Sequence, residues 1–361
     1  MHSIDSLGEF AVPSRHYSVS QLSINERHKL MERAFVGLFR WYVDRSQTTR
    51  NWNPDRSFDW KNMRQDHSPE VMQILEGFFA VEQYIPDYSA HGMTIMRESY
   101  GRSSFHLRWG MEEERHADLW RNALLFSGQR TLDWVEDYTD QLRGQEWGLP
   151  WDNPCHMVFY TVFQERATQV NYLNLGLAAR GEESHEVFAN DADPVLAKAC
   201  QMIAVDEAAH YNFFLEGARL WLYYFPERAL EAMADVLRHF TMPARNIIPN
   251  YDAFGELLHR TSIFGLRQHA RDVVKVALEN LGAESLRKIE EGIRRSREIP
   301  NELGKIRTSA IFESLDFSHI ENRVKQMFGR VNRLEAEIGV PEEQVTKFVL
   351  NPELQAHFAA L

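Results

Sequence analysis

Apolar positions recur every three to four residues over long stretches of this chain, the spacing of helices that bury one face. Residues 22–48 carry Leu30, Ala34, Phe35, Leu38, Phe39 and Tyr42 at that interval, and Ser23 with Glu26 fits a capping box at the start. After a polar connection with Trp52, Pro54 and Trp60, Ser68-Pro69-Glu70 opens a strongly apolar helix through Phe78, Phe79, Val81 and Ile85, with Glu82 inside the run. Residues 89–121 predict one further helix, which Ser127-Gly128 stops, and 129–150 reads as a polar crossover long enough for a helix of its own. Core helices are expected over 155–180 and from Pro194 to about Tyr224, with another over 227–240. Beyond Pro243 the pattern gives a loop at 247–250, a helix over 252–293 and a lightly apolar helical stretch over 305–361, broken at Gly339-Val340-Pro341. Strand patterns are scarce, and long amphipathic helices bury their faces by bundling, so the expectation is all-α.

Composition narrows the partners. With 40 basic against 52 acidic residues the formal charge is −12, which leaves no basic field for nucleic acid. Only Cys155 and Cys200 occur, too few for a disulfide framework. The N-terminus lacks a basic region followed by an apolar run, and nowhere do eighteen apolar residues run without charge. A soluble, cytoplasmic protein without a transmembrane segment is expected, with residues 1–361 forming a single domain: a core over 20–245 and a helical C-terminal extension over 246–361 packed on it.

The candidate chemistry lies in acids placed inside apolar helices. Two Glu-x-x-His pairs, Glu113/His116 and Glu207/His210, are each preceded by a solitary acid, Glu82 and Glu165. Glutamate and histidine three apart share a helical face, and one Glu from each of two helices with a Glu-x-x-His from each of two others is the ligand set of a four-helix di-iron carboxylate site. Carboxylates with one imidazole per metal suit iron or manganese, and four carboxylates balance two dications. Glu113 and Glu207, each sharing a helix with a histidine, are candidate bridging ligands, with Glu82 and Glu165 terminal. Two further matches are set aside as metal sites: Glu182/His185, in a polar segment, is read as surface, and Glu256/His259 lacks a preceding solitary acid on an apolar helix. The plain alternative for Glu82 and Glu165 is a solvent-facing acid on a helix edge.

These residues resemble the plant-type acyl-acyl-carrier-protein desaturases, soluble ferritin-like di-iron enzymes. FQERAT at 163–168, EEERHADL at 112–119 with LFSG at 125–128, and VDEAAH at 205–210 are similar to the family's metal-binding helices. NWNP at 51–54 and VEQYIPDY at 81–88 are similar to its Trp-Gln-Pro segment and first ligand helix, and the resemblance covers roughly residues 20–245. It implies a ferritin-like four-helix di-iron bundle with additional flanking helices, two Fe (Fe2+/Fe3+) held by Glu82, Glu113, His116, Glu165, Glu207 and His210, and a homodimer. It implies oxygen-dependent desaturation of a long-chain fatty acyl thioester on acyl-carrier protein or coenzyme A, with O2 and electrons from a reduced ferredoxin-like donor. Thr168 matches the family's active-site hydroxyl, and Asp206 with Trp52 matches a chain in which the acid orients His116 and joins it to the indole. A threonine bonded to its own helix carbonyl and a tryptophan that only packs are the alternatives. The substrate tunnel that the family implies has Phe78, Met93, Met96, Phe159, Phe163 and Met202 as candidate walls.

This sequence departs from the family in places. Ala208 and Ala209 stand where basic residues usually separate the second Glu from its His, Gln83 replaces an acid, and the tail from about 305 does not resemble the family's C-terminal hairpin. Arg238 and Arg245 remain as bases that could meet an acidic carrier. A di-iron hydroxylase or N-oxygenase on a related substrate, a ferritin-like iron-binding protein without organic substrate, and a metal-free helical scaffold are the other open readings.

Overall fold

The computed structural model describes residues 24–181, 188, 190–298 and 314–346. It is 75% helical, and among the described residues the only β pairing is an isolated bridge between Ala283 and Leu315. The capping box at Ser23, the pair Glu182/His185 and the stretches 299–313 and 347–361 lie outside the described residues. No helix among those described is long and apolar enough to cross a membrane.

Six helices build the core: α1 (Ile24–Thr49), α2 (Pro69–Glu82), α3 (Ile85–Ile95), α4 (Tyr100–Phe126), α6 (Pro154–Ala179) and α7 (Pro194–Tyr224), with α5 (Leu132–Arg143) in the crossover. Side-chain caps set where they start. Ser68, Thr131, Asn153 and Asp193 each accept a backbone N–H two or three residues on, and Pro69, Pro154 and Pro194 occupy first-turn positions that need no donor. Gly128 (φ 68°) and Gly181 (φ 76°) take the left-handed conformation just beyond the ends of α4 and α6.

The expected helix over 89–121 is two. α2 ends on Glu82, Pro86 in the first turn of α3 blocks continuation, and a second break falls between Ile95 and Tyr100, where the Ser99 hydroxyl accepts from Arg102 N–H and restarts the chain on a new axis. Just inside that restart, Gly101 packs against the backbone of α1: a Cβ there would stand 2.5 Å from the carbonyl carbon of Phe35 and 2.7 Å from its oxygen. Backbone cannot swing aside as a side chain can. Gly101→Ala is therefore expected to cost about 1–3 kcal/mol, the range of overpacked cores, read as a lowered thermal midpoint; an unchanged midpoint would mean α1 and α4 do not approach this closely.

Later helices cover the core. They are α8 (Pro226–His239), α9 (Tyr251–Arg260), α10 (266–280, with a π-helical stretch at His269–Val274), α11 (Leu286–Glu298) and α12 (Phe317–Glu337). α9 packs on α2, α10 on α6, α11 on α8, and α12 against both α1 and α7. The single helix expected over 252–293 is interrupted at 261–265, where Ser262 adopts φ 58°, and at Gly282, φ 70°.

Candidate metal centre

Glu82 ends α2, Glu113 and His116 share a face of α4, Glu165 lies mid-way along α6, and Glu207 and His210 share a face of α7. The four helices bring all six side chains into one buried place, none more than 5% exposed. Their ligating atoms fall into two sets, each within 4.8 Å: Glu82, Glu113, His116 and Glu207 in one, Glu113, Glu165, Glu207 and His210 in the other. Glu113 and Glu207 belong to both. His116 Nδ1 lies 3.1 Å from Glu113 and 3.3 Å from Glu207; His210 Nδ1 lies 2.8 Å from Glu113 and 3.4 Å from Glu165.

The donor set fits metal ions. Both oxygens of Glu165 and of Glu207, one of Glu113 and the Nδ1 of His210 are buried without a hydrogen-bond partner. Several of these atoms are at contact distance yet not aligned to share a hydrogen, a costly arrangement for buried polar groups unless a cation lies among them. Electrostatics agree. Burial, reinforced by Glu113 for Glu82 and by Glu207 for Glu165, pushes both carboxyls well above the usual range. Burial also opposes ionisation of Glu113, but the two imidazoles outweigh it and hold that carboxyl at about 2.

A second layer orients the imidazoles. His116 Nε2 faces Asp206 Oδ2 at 3.4 Å, and Asp206 also accepts from Trp52 Nε1 (2.8 Å), Arg50 (2.8 Å) and Arg115 (3.0 Å). Trp52 is stacked parallel to His116, ring centres 6.2 Å apart. On the other half, His210 Nε2 faces Glu112 Oε2 at 3.0 Å. Sequence reasoning missed Glu112, although the signal is there: an acid directly precedes the glutamate of each pair, in Glu112-Glu113 and in Asp206-Glu207, and each acid holds the histidine of the opposite helix. Both stay ionised, since their imidazole and arginine partners outweigh burial and hold them low. Asp206→Asn and Glu112→Gln are each expected to weaken metal binding about 10–100-fold, as followed by metal titration; full affinity in both would show that these acids do not set the imidazoles.

The profile of the fatty acid desaturase family matches residues 49–326. This chain belongs to that family. Among curated relatives, stearoyl-[acyl-carrier-protein] 9-desaturase 6 of Arabidopsis thaliana is 34% identical over 184 residues, 48% of this chain and 45% of that protein. Stearoyl-[acyl-carrier-protein] 9-desaturase 1 of Oryza sativa subsp. indica is 28% identical over 60% of this chain and 58% of its own length. Palmitoyl-[acyl-carrier-protein] 4-desaturase 2 of Ophrys sphegodes is 26% identical over 55% and 54%. The chain thus spans about half the length of the curated relatives it matches. A solved structure, DesA2 of Mycobacterium tuberculosis H37Rv, superposes over 72% of this chain and 99% of that one with TM-score 0.48 and 19% identity.

Other residues singled out in this fatty acid desaturase family member fall in varied places. Thr168 is buried on α6 one turn from Glu165, and its hydroxyl donates to its own helix at Gln164 O (3.0 Å) while accepting from the Gln164 amide (3.3 Å). One turn further, Tyr172 donates to Glu82 at 2.5 Å, a contact the sequence reading did not anticipate. Glu256 and His259 are both exposed on α9. A small aromatic cavity of about 20 Å³, bordered by Trp109 and Gln164, is lined also by Tyr88, His106, Met157 and Tyr160. None of the six expected wall residues lines it. Phe78 instead packs on Trp120, Tyr172 and Phe254, as ordinary core. Arg238 pairs with Glu290 (2.7 Å) and Arg245 with Asp252 (3.8 Å). Cys155 and Cys200 are buried free thiols.

Proposed function

We propose that this protein desaturates a long-chain fatty acyl thioester with O2 at a di-iron centre held by Glu82, Glu113, His116, Glu165, Glu207 and His210. The observation that carries the reading is the pair of overlapping carboxylate–imidazole sets sharing Glu113 and Glu207. Hard oxygen donors with one imidazole per ion suit iron. Bound iron supplies the oxidising power that an unactivated C–H bond requires. Two hydrogens leave adjacent methylenes, and with two electrons and two protons from outside, O2 ends as two waters.

The chain's own residues hold and orient. Asp206 and Glu112 fix the imidazole rings, and Tyr172 steadies Glu82. Three of the cavity's polar side chains spend their donors on the backbone, Tyr88 on Val81 O, Tyr160 on Thr241 O and Thr161 on Met157 O, while the Gln164 amide donates to Thr168 and the buried Trp109 Nε1 has no partner. That leaves apolar faces toward a hydrocarbon and excludes water. In this reading Thr168 gives up its helix carbonyl to deliver a proton at the centre, and the Trp52–Asp206–His116 line serves electrons from a ferredoxin-like donor. Acyl-carrier protein is the carrier, by analogy with the named relatives, and the enzyme works as a cytoplasmic homodimer. Those relatives differ in acyl length and bond position, stearoyl 9 against palmitoyl 4.

The decisive assay supplies iron-loaded protein with O2, reduced ferredoxin and stearoyl or palmitoyl groups on carrier protein or coenzyme A. A monounsaturated product supports the reading; a hydroxylated acyl chain moves the protein to hydroxylases. Iron uptake and oxidation without any acyl product leaves only iron binding.

A further inference from the structure

α1 supplies none of the six candidate ligands, yet Tyr42 and Ser46 on it and Arg50 just past its last residue, each four residues apart, form one buried stripe against the outer side of the centre. Tyr42 donates to Glu112 Oε2 at 2.5 Å and Ser46 to Glu112 Oε1. Arg50 Nη1 donates to Glu112 Oε2 at 3.1 Å and to Asp206 Oδ1 at 2.8 Å. Among the described residues Arg50 alone bonds both acids that hold the imidazoles. We propose that Arg50 is a positioning residue that couples the two halves of the centre, whereas Tyr42 serves the His210 half alone.

The reason is electrostatic and geometric. An ionised Glu112 or Asp206 accepts the Nε2–H of its histidine and so turns the Nδ1 lone pair toward a metal. Two buried carboxylates that share one guanidinium repel each other once it is removed, and lose the common donor that fixes both rotamers. Arg108 adds a contact to Glu112 (3.5 Å) and Arg115 to Asp206 (3.0 Å), but each touches one acid. Arg50 also lies over the ring of Tyr42, 5.0 Å from its centre, which fixes the stripe as a unit.

This inference rests on the reading that the centre binds two metal ions. The test is anaerobic ferrous titration of the full chain by calorimetry, resolved into two binding steps, with folding followed by circular dichroism. Tyr42→Phe is expected to lower affinity about 10–100-fold at one step only, and Arg50→Met at both steps. Arg50→Lys, which keeps a cation in the same layer, is expected to recover most of the loss at both. Should Arg50→Met fail to fold, Arg50→Gln retains hydrogen-bond donors without the charge and must still weaken both steps. Wild-type uptake of two ions with Arg50→Met or Arg50→Gln weakened at one step or none overturns the inference and leaves the metal reading standing. Equal weakening of both steps by Tyr42→Phe overturns it too. A wild-type protein that takes up no iron overturns the metal reading itself.

Discussion

Glu113→Gln is expected to empty the whole centre, because one carboxylate serves both halves. Its oxygens stand 3.1 Å from His116 Nδ1 and 2.8 Å from His210 Nδ1, and it belongs to both sets of ligating atoms. The amide has the same shape but loses the charge and presents an N–H₂ where a metal needs an oxygen. Glu165→Gln and Glu82→Gln, by contrast, each touch one set, so one ion is lost first and the other only weakened. For Glu113→Gln the loss exceeds the roughly 10–100-fold of the second-layer substitutions. Metal analysis after anaerobic loading checks it. Retention of both ions by Glu113→Gln, or equal losses in all three variants, would remove Glu113 from its shared role.

That asymmetry between shared and terminal acids was already implicit in the order of residues along the chain, because i, i+3 spacing is a property of the helix itself and survives whatever the tertiary packing does. The convergence of six side chains follows from four helices whose apolar faces must meet. What local pattern does not encode is where one helix stops and another starts within a continuous apolar run. The breaks at 83–84 and 96–99 depend on Pro86 and on the Ser99 cap, and Ser99, in the polar stretch Arg97-Glu98-Ser99, reads like any solvated helix position. Tyr42 was legible only as part of a buried apolar face, and Glu112, Ser46 and Arg50 escaped for a different reason. Polar residues at helical spacing look like a solvated face until tertiary packing shows them buried against carboxylates. The lining of the aromatic cavity was the least legible, since it depends on side-chain packing between helices distant in sequence.

Metal binding should strengthen steeply as pH rises, while the metal-free protein weakens. Four groups at the centre hold protons more tightly in the folded chain than in the unfolded one. Glu82 and Glu165 are raised by burial and then by neighbouring carboxylates. His116 and His210 are raised because Glu113 and its neighbours outweigh burial, which acts the other way. A group with a raised folded pKa stabilises fully below its unfolded value and loses that contribution as pH climbs through the folded one. The carboxyls lose their contribution from the ordinary carboxylate value upward and the histidines from the ordinary imidazole value upward, so past neutrality the histidines' share at least is still being lost and from pH 7 to 8.5 the metal-free thermal midpoint falls. The depressed groups, Glu112, Glu113 and Asp206, act oppositely, but their contributions are complete above the ordinary carboxylate range and change only in acid. Iron takes the deprotonated ligands, so loading expels the same protons. Each proton expelled raises apparent affinity about tenfold per pH unit, or about 1.4 kcal/mol. The gap between metal-loaded and metal-free midpoints should therefore widen across this window, measured by calorimetric scans with and without iron. A gap that stays constant from pH 7 to 8.5 would mean that the ions do not replace protons on these four side chains.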